Sequence, residues 1–349
     1  MKSYRIASIP GDGIGKEVIA AGVEVLASLA EKEQFKLEFK AFDWSSERFL
    51  RTGAYIPDGG LEELKTFDAI FFGAVGSPDV PDHVSLWGLR LPICQGFDQY
   101  ANVRPSRVLP GVSSPLKNGD AIDWVIVREN SEGEYSGSGG RVHKGLPEEL
   151  ATETSVFTRV GIERIHRFAF ELARKRPRRH LTLVTKSNAQ RHGMVLWDEI
   201  FYEVAKKYPD VKTNRVLVDA VTTQMVLKPA SLDTIVASNL HADILSDLAA
   251  ALSGSLGIAP TANLNPERKF PSMFEPIHGS AFDITGKGVA NPIATFWTAS
   301  MMLEHLGEPN AAARLMKAIE RTTEEQVFTP DLGGVHDTRA VTIAIKRAL

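Results

Sequence analysis

Tyr4-Arg5-Ile6-Ala7-Ser8-Ile9-Pro10-Gly11-Asp12-Gly13-Ile14-Gly15 is the stretch on which the fold turns. Tyr4–Ile9 is a short apolar run of strand type, and Lys16–Ala30 beyond it is helical in pattern. Strand, glycine turn and helix in that order look like a dinucleotide fingerprint. The spacing is wrong, however: G-x-G-x-G stands where a Rossmann turn has G-x-G-x-x-G. No acid clearly closes a second strand either, unless Asp43 does. Alone, the motif is a weak nucleotide signal or simply a tight turn whose glycines take positive φ.

Outward from this unit the alternation continues. Strand candidates are Leu37–Phe42, Ala69–Phe72, Trp124–Val127, Leu181–Thr185, Val211–Val218 and Thr234–Ala237. Helix candidates are Arg159–Arg174, Met194–Lys207, Asp243–Ser253, Ala294–His305 and Ala311–Val327. Such alternation predicts α/β layers around a largely parallel sheet. Ser131–Ser155 is glycine-rich and polar and reads as a long loop or hairpin, of the kind that makes a subunit contact.

Composition narrows the class. The 349 residues suffice for two domains, and a net charge of −3 gives no reason to expect nucleic acid or a membrane surface as partner. The single cysteine, Cys94, cannot form an intramolecular disulfide and fits a reducing compartment. Met1–Ile6 carries no apolar signal core, and Ala69–Val75 is too short to span a bilayer. A cytoplasmic enzyme is the expectation.

Chemistry concentrates in Asn239-Leu240-His241-Ala242-Asp243-Ile244-Leu245-Ser246-Asp247. On a helix, Asp243 and Asp247 share one face at i and i+4 and repel. Mg²⁺ or Mn²⁺ would turn that repulsion into ligation. The plainer alternative is a helix start with acids placed for the dipole. Asp219 and Lys186 each end a strand-like run, where open α/β sheets bind ligands. Arg104 and Arg128 follow apolar runs too; together they could clamp a carboxylate, or each could be a surface arginine. Lys186 near a carboxylate and a metal could act as a base, and Tyr135 could be an acid or a packing residue. In Phe274-Glu275-Pro276-Ile277-His278-Gly279-Ser280-Ala281-Phe282-Asp283-Ile284, small residues permit close backbone approach to a ligand. Asp283 there could accept from ribose hydroxyls and repel a 2′-phosphate.

Taken together, Pro10–Gly15, Ala101–Pro105, Val127–Tyr135, Thr185–Asn188, Val218–Ala220, Asn239–Asp247 and His278–Asp283 resemble the β-decarboxylating dehydrogenases of D-2-hydroxy acids. That family includes isocitrate, isopropylmalate, homoisocitrate and tartrate/D-malate dehydrogenases. His83–Gly88, Phe97–Tyr100 and Asn263–Arg268 look like the tartrate/D-malate branch. The resemblance implies a non-Rossmann α/β fold of the isocitrate/isopropylmalate dehydrogenase type, with two α/β domains and a cleft. One domain would comprise residues 1–99 and 256–349 and bind the cofactor. Residues 100–255 would form the dimerisation, substrate and metal domain, with an arm near 131–158.

The implied reaction is NAD- and divalent-metal-dependent oxidative decarboxylation of D-malate to pyruvate, CO₂ and NADH, with action on tartrates. Isopropylmalate dehydrogenase-type activity and net non-redox tartrate decarboxylation are the alternatives. Carried onto this chain, Asp243 and Asp247 bind Mn²⁺ or Mg²⁺ from one subunit of a homodimer and Asp219 binds it from the other. Arg104 and Arg128 hold substrate carboxylates, Lys186 is the base and Tyr135 the acid. His278, Gly279, Ser280, Ala281, Asp283, Ile284 and Asn291 hold NAD. A K⁺ requirement stays open. Ser85 and Arg90 are placed over the substrate's C3 group, beside Trp87. Relatives carry an arginine where this chain has Cys94. If Val84–Gln95 is helical, Arg90 sits one turn away, ~5.4 Å, although Pro92 lies in that span. Phe282 stands where relatives often have proline, and His241-Ala242 replaces a commoner Phe-Gly.

Overall fold

The computed structural model describes residues 2–349. In chain order the elements are β1 (Ser3–Gly11), α1 (Gly15–Glu33), β2 (Lys36–Ala41), α2 (Ser46–Thr52), α3 (Gly60–Leu64), β3 (Ala69–Ala74), α4 (Asp82–Ser85), a π-helical turn (Leu86–Arg90) and α5 (Leu91–Gly96). Next come β4 (Ala101–Arg107), β5 (Asp123–Glu129), β6 (Gly133–Val142), β7 (Leu150–Val156), α6 (Arg159–Lys175), β8 (His180–Thr185), α7 (Gly193–Ala205), β9 (Lys212–Leu217), α8 (Val218–Leu227), β10 (Thr234–Ala237) and α9 (Asn239–Leu252). The chain closes with β11 (Pro260–Leu264), β12 (Ser272–Pro276), α10 (Ile293–Leu306), α11 (Pro309–Glu324) and α12 (Thr338–Ala348).

Two compact units result: residues 1–99, 107–120 and 250–349 form one, and residues 100–106 and 121–249 the other. In the first unit the strand order is β2-β1-β3-β12-β11. The pairs β1–β2, β1–β3 and β3–β12 are parallel, and β11 runs antiparallel to β12. Strand periodicity sorts the side chains onto two faces. Ile6, Phe71 and Phe274 join Leu26, Leu29, Phe296, Leu315 and Ile345 in the larger core. Their neighbours Ala7, Ile70, Phe72 and Met273 point the other way, into a core with Trp44, Leu89, Ile93 and Phe97. The sheet departs from β1 toward β2 on one side and toward β3 on the other, so the ends of β1 and β3 flank a topological switch point. The glycine turn sits there.

In the second unit the order is β4-β5-β10-β8-β9, and β5–β10, β10–β8 and β8–β9 are parallel. The expected loop or hairpin at 131–155 is the antiparallel pair β6–β7. Its far end is exposed, including Val142, Leu146 and Leu150.

One local boundary is corrected, and the helical condition set for Val84–Gln95 is met. α9 begins at Asn239, not Asp243, and the Ala242 amide already donates to Ser238. Asp243 therefore lies beyond the first turn, where the helix dipole no longer rewards an acid. The chain also stays helical from Asp82 to Gly96 despite Pro92. Pro92 lies inside this continuous helix, directly after the π turn, where the Leu91 amide bonds back five residues to Leu86; that local widening accommodates a residue with no N–H to give. No helix among the described residues is long and apolar enough to cross a membrane.

Candidate active site

In the second unit, ends of successive strands deliver the charged residues. Arg128 lies near the end of β5, opposite Ala237 of β10, and Arg104 lies on β4. Both guanidiniums are almost fully buried, at 4% and 3% exposure for Arg104 and Arg128. Buried cations of this kind need anions and hydrogen-bond acceptors. Arg104 donates from Nε to Asn102 Oδ1 at 2.8 Å and from Nη1 to Ser246 Oγ at 2.6 Å. Arg128 donates from Nε to Asn239 Oδ1 at 2.9 Å.

The two arginines converge on one carboxylate. Asp243 Oδ1 is 3.2 Å from Arg104 Nη1 and also pairs with Arg128 Nη1. Its other oxygen accepts from the Tyr135 hydroxyl at 3.2 Å, and the Arg128 guanidinium lies over the Tyr135 ring, 5.2 Å from its centroid. Asn239 Nδ2 donates back to the Glu132 carbonyl at 3.1 Å, tying the root of β6 to α9. Asp247, one turn along α9, has its carboxyl pushed above the usual range by burial and by the charge of Asp243. Arg104 and Arg128 oppose that shift.

Lys186 and Asp219 form a separate pair in the same unit. Lys186 follows β8, Asp219 lies in the first turn of α8, and Nζ meets Oδ1 at 2.6 Å. The ammonium holds the Asp219 carboxyl below its usual range. Among the described residues no three His, Cys, Asp or Glu side chains gather into a metal-sized cluster. Asp243 and Asp247 nevertheless fit a hard divalent cation. They are oxygen donors on one helix face, and Asp247 carries a like charge beside Asp243 that a cation would relieve. Mg²⁺ commonly takes only one or two protein carboxylates.

In the first unit two motifs from opposite ends of the chain meet. The Ile14 amide donates to the Ser280 carbonyl at 2.8 Å. Gly13, at φ +54°, could not carry a Cβ, which would stand 2.0 Å from that carbonyl. Gly11 is held similarly against the Ala74 carbonyl at the end of β3. Buried Asp12 closes the turn by accepting from the Ser46 amide and hydroxyl, each at 2.7 Å, and from the Gly76 amide at 2.9 Å. The loop 278–284 thus lies over the switch point. Gly279 and Asp283 are exposed, and Ser280, Ala281 and Ile284 are partly so. Burial lowers the basicity of His278, whose Nδ1 lies 3.0 Å from the Gly279 carbonyl. Buried Asn291 is oriented by Asp331, which accepts from its Nδ2 at 3.0 Å, while Asn291 Oδ1 accepts from the Ile293 amide.

Ser85 is buried and donates to the Asp82 carbonyl at 3.0 Å. Arg90 Nε donates to Glu275 Oε1 at 2.8 Å and Nη2 to Asn263 Oδ1 at 3.2 Å. Cys94 is buried in the apolar core, whereas Trp87 is 40% exposed. Sequence reasoning did not single out Asn102, Asn239, Ser246 or Glu275, which orient the arginines, or Asp331, which orients Asn291. Spacing carried some of the signal. Asn102 shares a strand face with Arg104, and Asn239 and Ser246 lie at i−4 and i+3 from Asp243 on α9.

Residues 5–346 match the isocitrate/isopropylmalate dehydrogenase family. The chain belongs to this family. A protein of Agrobacterium vitis named "Probable tartrate dehydrogenase/decarboxylase TtuC" is 68% identical, over 100% of this chain and 97% of that one. The D-malate dehydrogenase (decarboxylating) of Escherichia coli strain K12 is 50% identical over 99% of this chain and 98% of its own. The crystal structure of isocitrate dehydrogenase from Methylococcus capsulatus superposes with a TM-score of 0.89 at 36% identity, covering 99% of both chains. The fold is the family's α/β fold, and its glycine turn accordingly follows a different spacing from a Rossmann turn.

Proposed function

We propose that this protein catalyses NAD- and divalent-metal-dependent oxidative decarboxylation of D-malate to pyruvate, CO₂ and NADH, and accepts tartrates. The observation that carries this reading is the convergence of buried Arg104 and Arg128 on Asp243, with Tyr135 on the other oxygen. Two rigid guanidiniums braced by Asn102, Ser246 and Asn239 are suited to fix a substrate carboxylate. The names of the relatives from A. vitis and E. coli support the substrate class.

When bound, Mn²⁺ or Mg²⁺ held by Asp243 and Asp247 supplies a Lewis acid for developing negative charge, and NAD supplies the hydride acceptor. Lys186 acts as the base from its neutral amine: it takes the C2 hydroxyl proton, and the ammonium so formed is the form that pairs with Asp219. Tyr135 returns a proton to C3 after CO₂ departs, so protons balance over the cycle. In this reading Asp219 and Lys186 act on the partner's Asp243 and Asp247 in a homodimer, and the exposed β6–β7 hairpin contributes to that assembly. His278–Ile284 and Asn291 hold the adenosine end of NAD, and Asp283 selects against a 2′-phosphate. Ser85 and Arg90 are assigned to the C3 side of the substrate.

The test is kcat/KM for D-malate, L-tartrate, meso-tartrate, isopropylmalate and isocitrate with NAD and Mn²⁺. D-Malate is expected to exceed isopropylmalate by at least ~10²-fold, the effect of a few kcal/mol of misfit. A preference for isopropylmalate or isocitrate would overturn the substrate assignment. The word decarboxylase in the A. vitis name favours one second reading, tartrate decarboxylation without net redox change. CO₂ and NADH measured in parallel separate the two, since only the oxidative route yields them in equal amounts.

A further inference from the structure

The turn Asn265-Pro266-Glu267-Arg268-Lys269-Phe270 has no part in the chemistry above, yet it is tightly built. The Asn265 side-chain oxygen accepts from the Lys269 amide at 2.8 Å, and its carbonyl accepts from the Arg268 amide at 2.9 Å. Arg268 is thereby held at φ +55°, a conformation uncommon for a residue with a side chain. Such outliers persist where the surroundings impose them, often at ligand sites. Beneath the turn is a cavity of about 280 Å³, lined by Lys65, Phe67, Arg268, Lys269, Phe270 and His305 among others. That is near the small end of ligand cavities, about 300–1,000 Å³.

Its chemistry is two-sided. Phe67, 5% exposed with the Arg5 guanidinium 4.7 Å from its ring centroid, and Phe270, with the Lys65 ammonium 5.8 Å from its own, give it an aromatic wall edged by cations. Lys65 is engaged by Glu62 at 2.6 Å, and Asp68 accepts from the Arg5 amide at 2.7 Å. Arg268 and Lys269 are exposed cations that meet no carboxylate among the described residues. Burial, with a smaller push from the charge of Arg268, brings the His305 imidazole down to about 4, so it is neutral at pH 7. The cavity lies at the opposite end of the sheet from the glycine turn. Tyr4, Asp68 and Pro271 precede or open β1, β3 and β12, whereas the turn follows the end of β1. Tyr4 to Gly11 along a strand is about 23 Å.

We propose that this cavity binds a small organic anion, its carboxylate or phosphate head on Arg268 and Lys269 and its flat apolar body on Phe67 and Phe270. Phenyl phosphate is the probe, titrated calorimetrically into the full-length protein with benzoate and inorganic phosphate as companions. Saturable binding is expected, at least tenfold weaker for inorganic phosphate and unchanged by saturating NAD. Arg268→Gln/Lys269→Gln should weaken it at least tenfold while leaving the melting temperature and D-malate turnover unchanged. Benzoate that binds as phenyl phosphate does assigns the head to any anion; benzoate that fails restricts it to phosphate. Absence of saturable binding, equal affinity in the double variant, or displacement by NAD would overturn the site. Inorganic phosphate binding as tightly as phenyl phosphate would overturn the apolar half of the assignment.

Discussion

The glycine turn of the first unit and the Asp243 cluster of the second are held in place in opposite ways. The turn is made of backbone: Gly11 and Gly13 are required because carbonyls of Ala74 and Ser280 occupy the space of a side chain. The cluster is made of side chains, two buried arginines meeting one aspartate through a fixed set of amide and hydroxyl acceptors. Backbone geometry tolerates no added atom, whereas a charged cluster tolerates isosteric change in shape but not in charge. Substitutions should therefore fail differently in the two regions.

The largest effect is expected in the cluster. Asp247→Asn keeps shape and removes charge without touching the arginines, so it should remain folded while turnover falls by ~10³-fold or more, several kcal/mol of lost transition-state stabilisation. Asp243→Asn should lose as much turnover and also lower the melting temperature, because it leaves the buried Arg104 and Arg128 without their shared anion. Mn²⁺ titration of each variant checks this, and near-normal rates at low metal would remove these aspartates from the metal site. The proposed sharing of sites between subunits gives a sharper form. Asp219→Ala and Asp243→Ala homodimers should be inactive, while their heterodimer regains one intact site and about half the activity of each mixed dimer's wild-type equivalent. An inactive heterodimer, with exchange verified, would place Asp219 in its own subunit's site.

Gly13→Ala probes the turn. A Cβ at φ +54° against the Ser280 carbonyl should cost about 2–3 kcal/mol, from the left-handed backbone and the shift of the loop. The expected signature is a lower melting temperature and a raised KM for NAD with little change in metal affinity. Unchanged KM for NAD would detach this turn from cofactor binding. Smaller still, Asp283→Lys should reduce the preference for NAD over NADP by roughly ten- to a hundredfold, the worth of a charge-assisted hydrogen bond. Equal kcat/KM for the two cofactors in the unaltered protein would discard that role.

The mildest test separates the scaffold from both sites. His166 is fully buried between Trp197 and Phe201, and burial pushes its imidazole down to about 3. The folded state thus favours the neutral ring. Its contribution is complete above the unfolded value near 6.5 and is lost as pH falls from there toward 3, at up to ~1.4 kcal/mol per pH unit. His166→Phe should flatten the acid limb of a stability-versus-pH curve and leave it unchanged above pH 7. An identical acid limb would assign the loss to other groups.

Periodicity made the βα alternation legible, because strands and helices bury their apolar residues at different spacings. Thr234–Ala237 and the core of α6 could be placed from the sequence for that reason. α12 and the strands β11 and β12 could not. β12 ends on Pro276 and follows Pro271, which read as turn signals, and its alternation of faces becomes visible only when Phe274 and Met273 are seen in different cores. Asp243 and Asp247 were readable as a pair because helical spacing is local. The acceptors that hold Arg104 and Arg128 were not, since Ser246 and Asn239 reach them from another element.

What the chain determines by itself is therefore whatever depends on neighbours in sequence: the alternation, the i,i+4 acids, the glycine turn after β1, and the absence of a disulfide. Tertiary structure alone decided that Ser280 closes on Gly13, that Arg104 and Arg128 share Asp243, and that Arg90 turns to Glu275. The physical reason is that a buried charge or polar backbone group must find a partner somewhere, but the sequence does not say where. Folding settles the choice by bringing distant strand ends to one edge of a sheet.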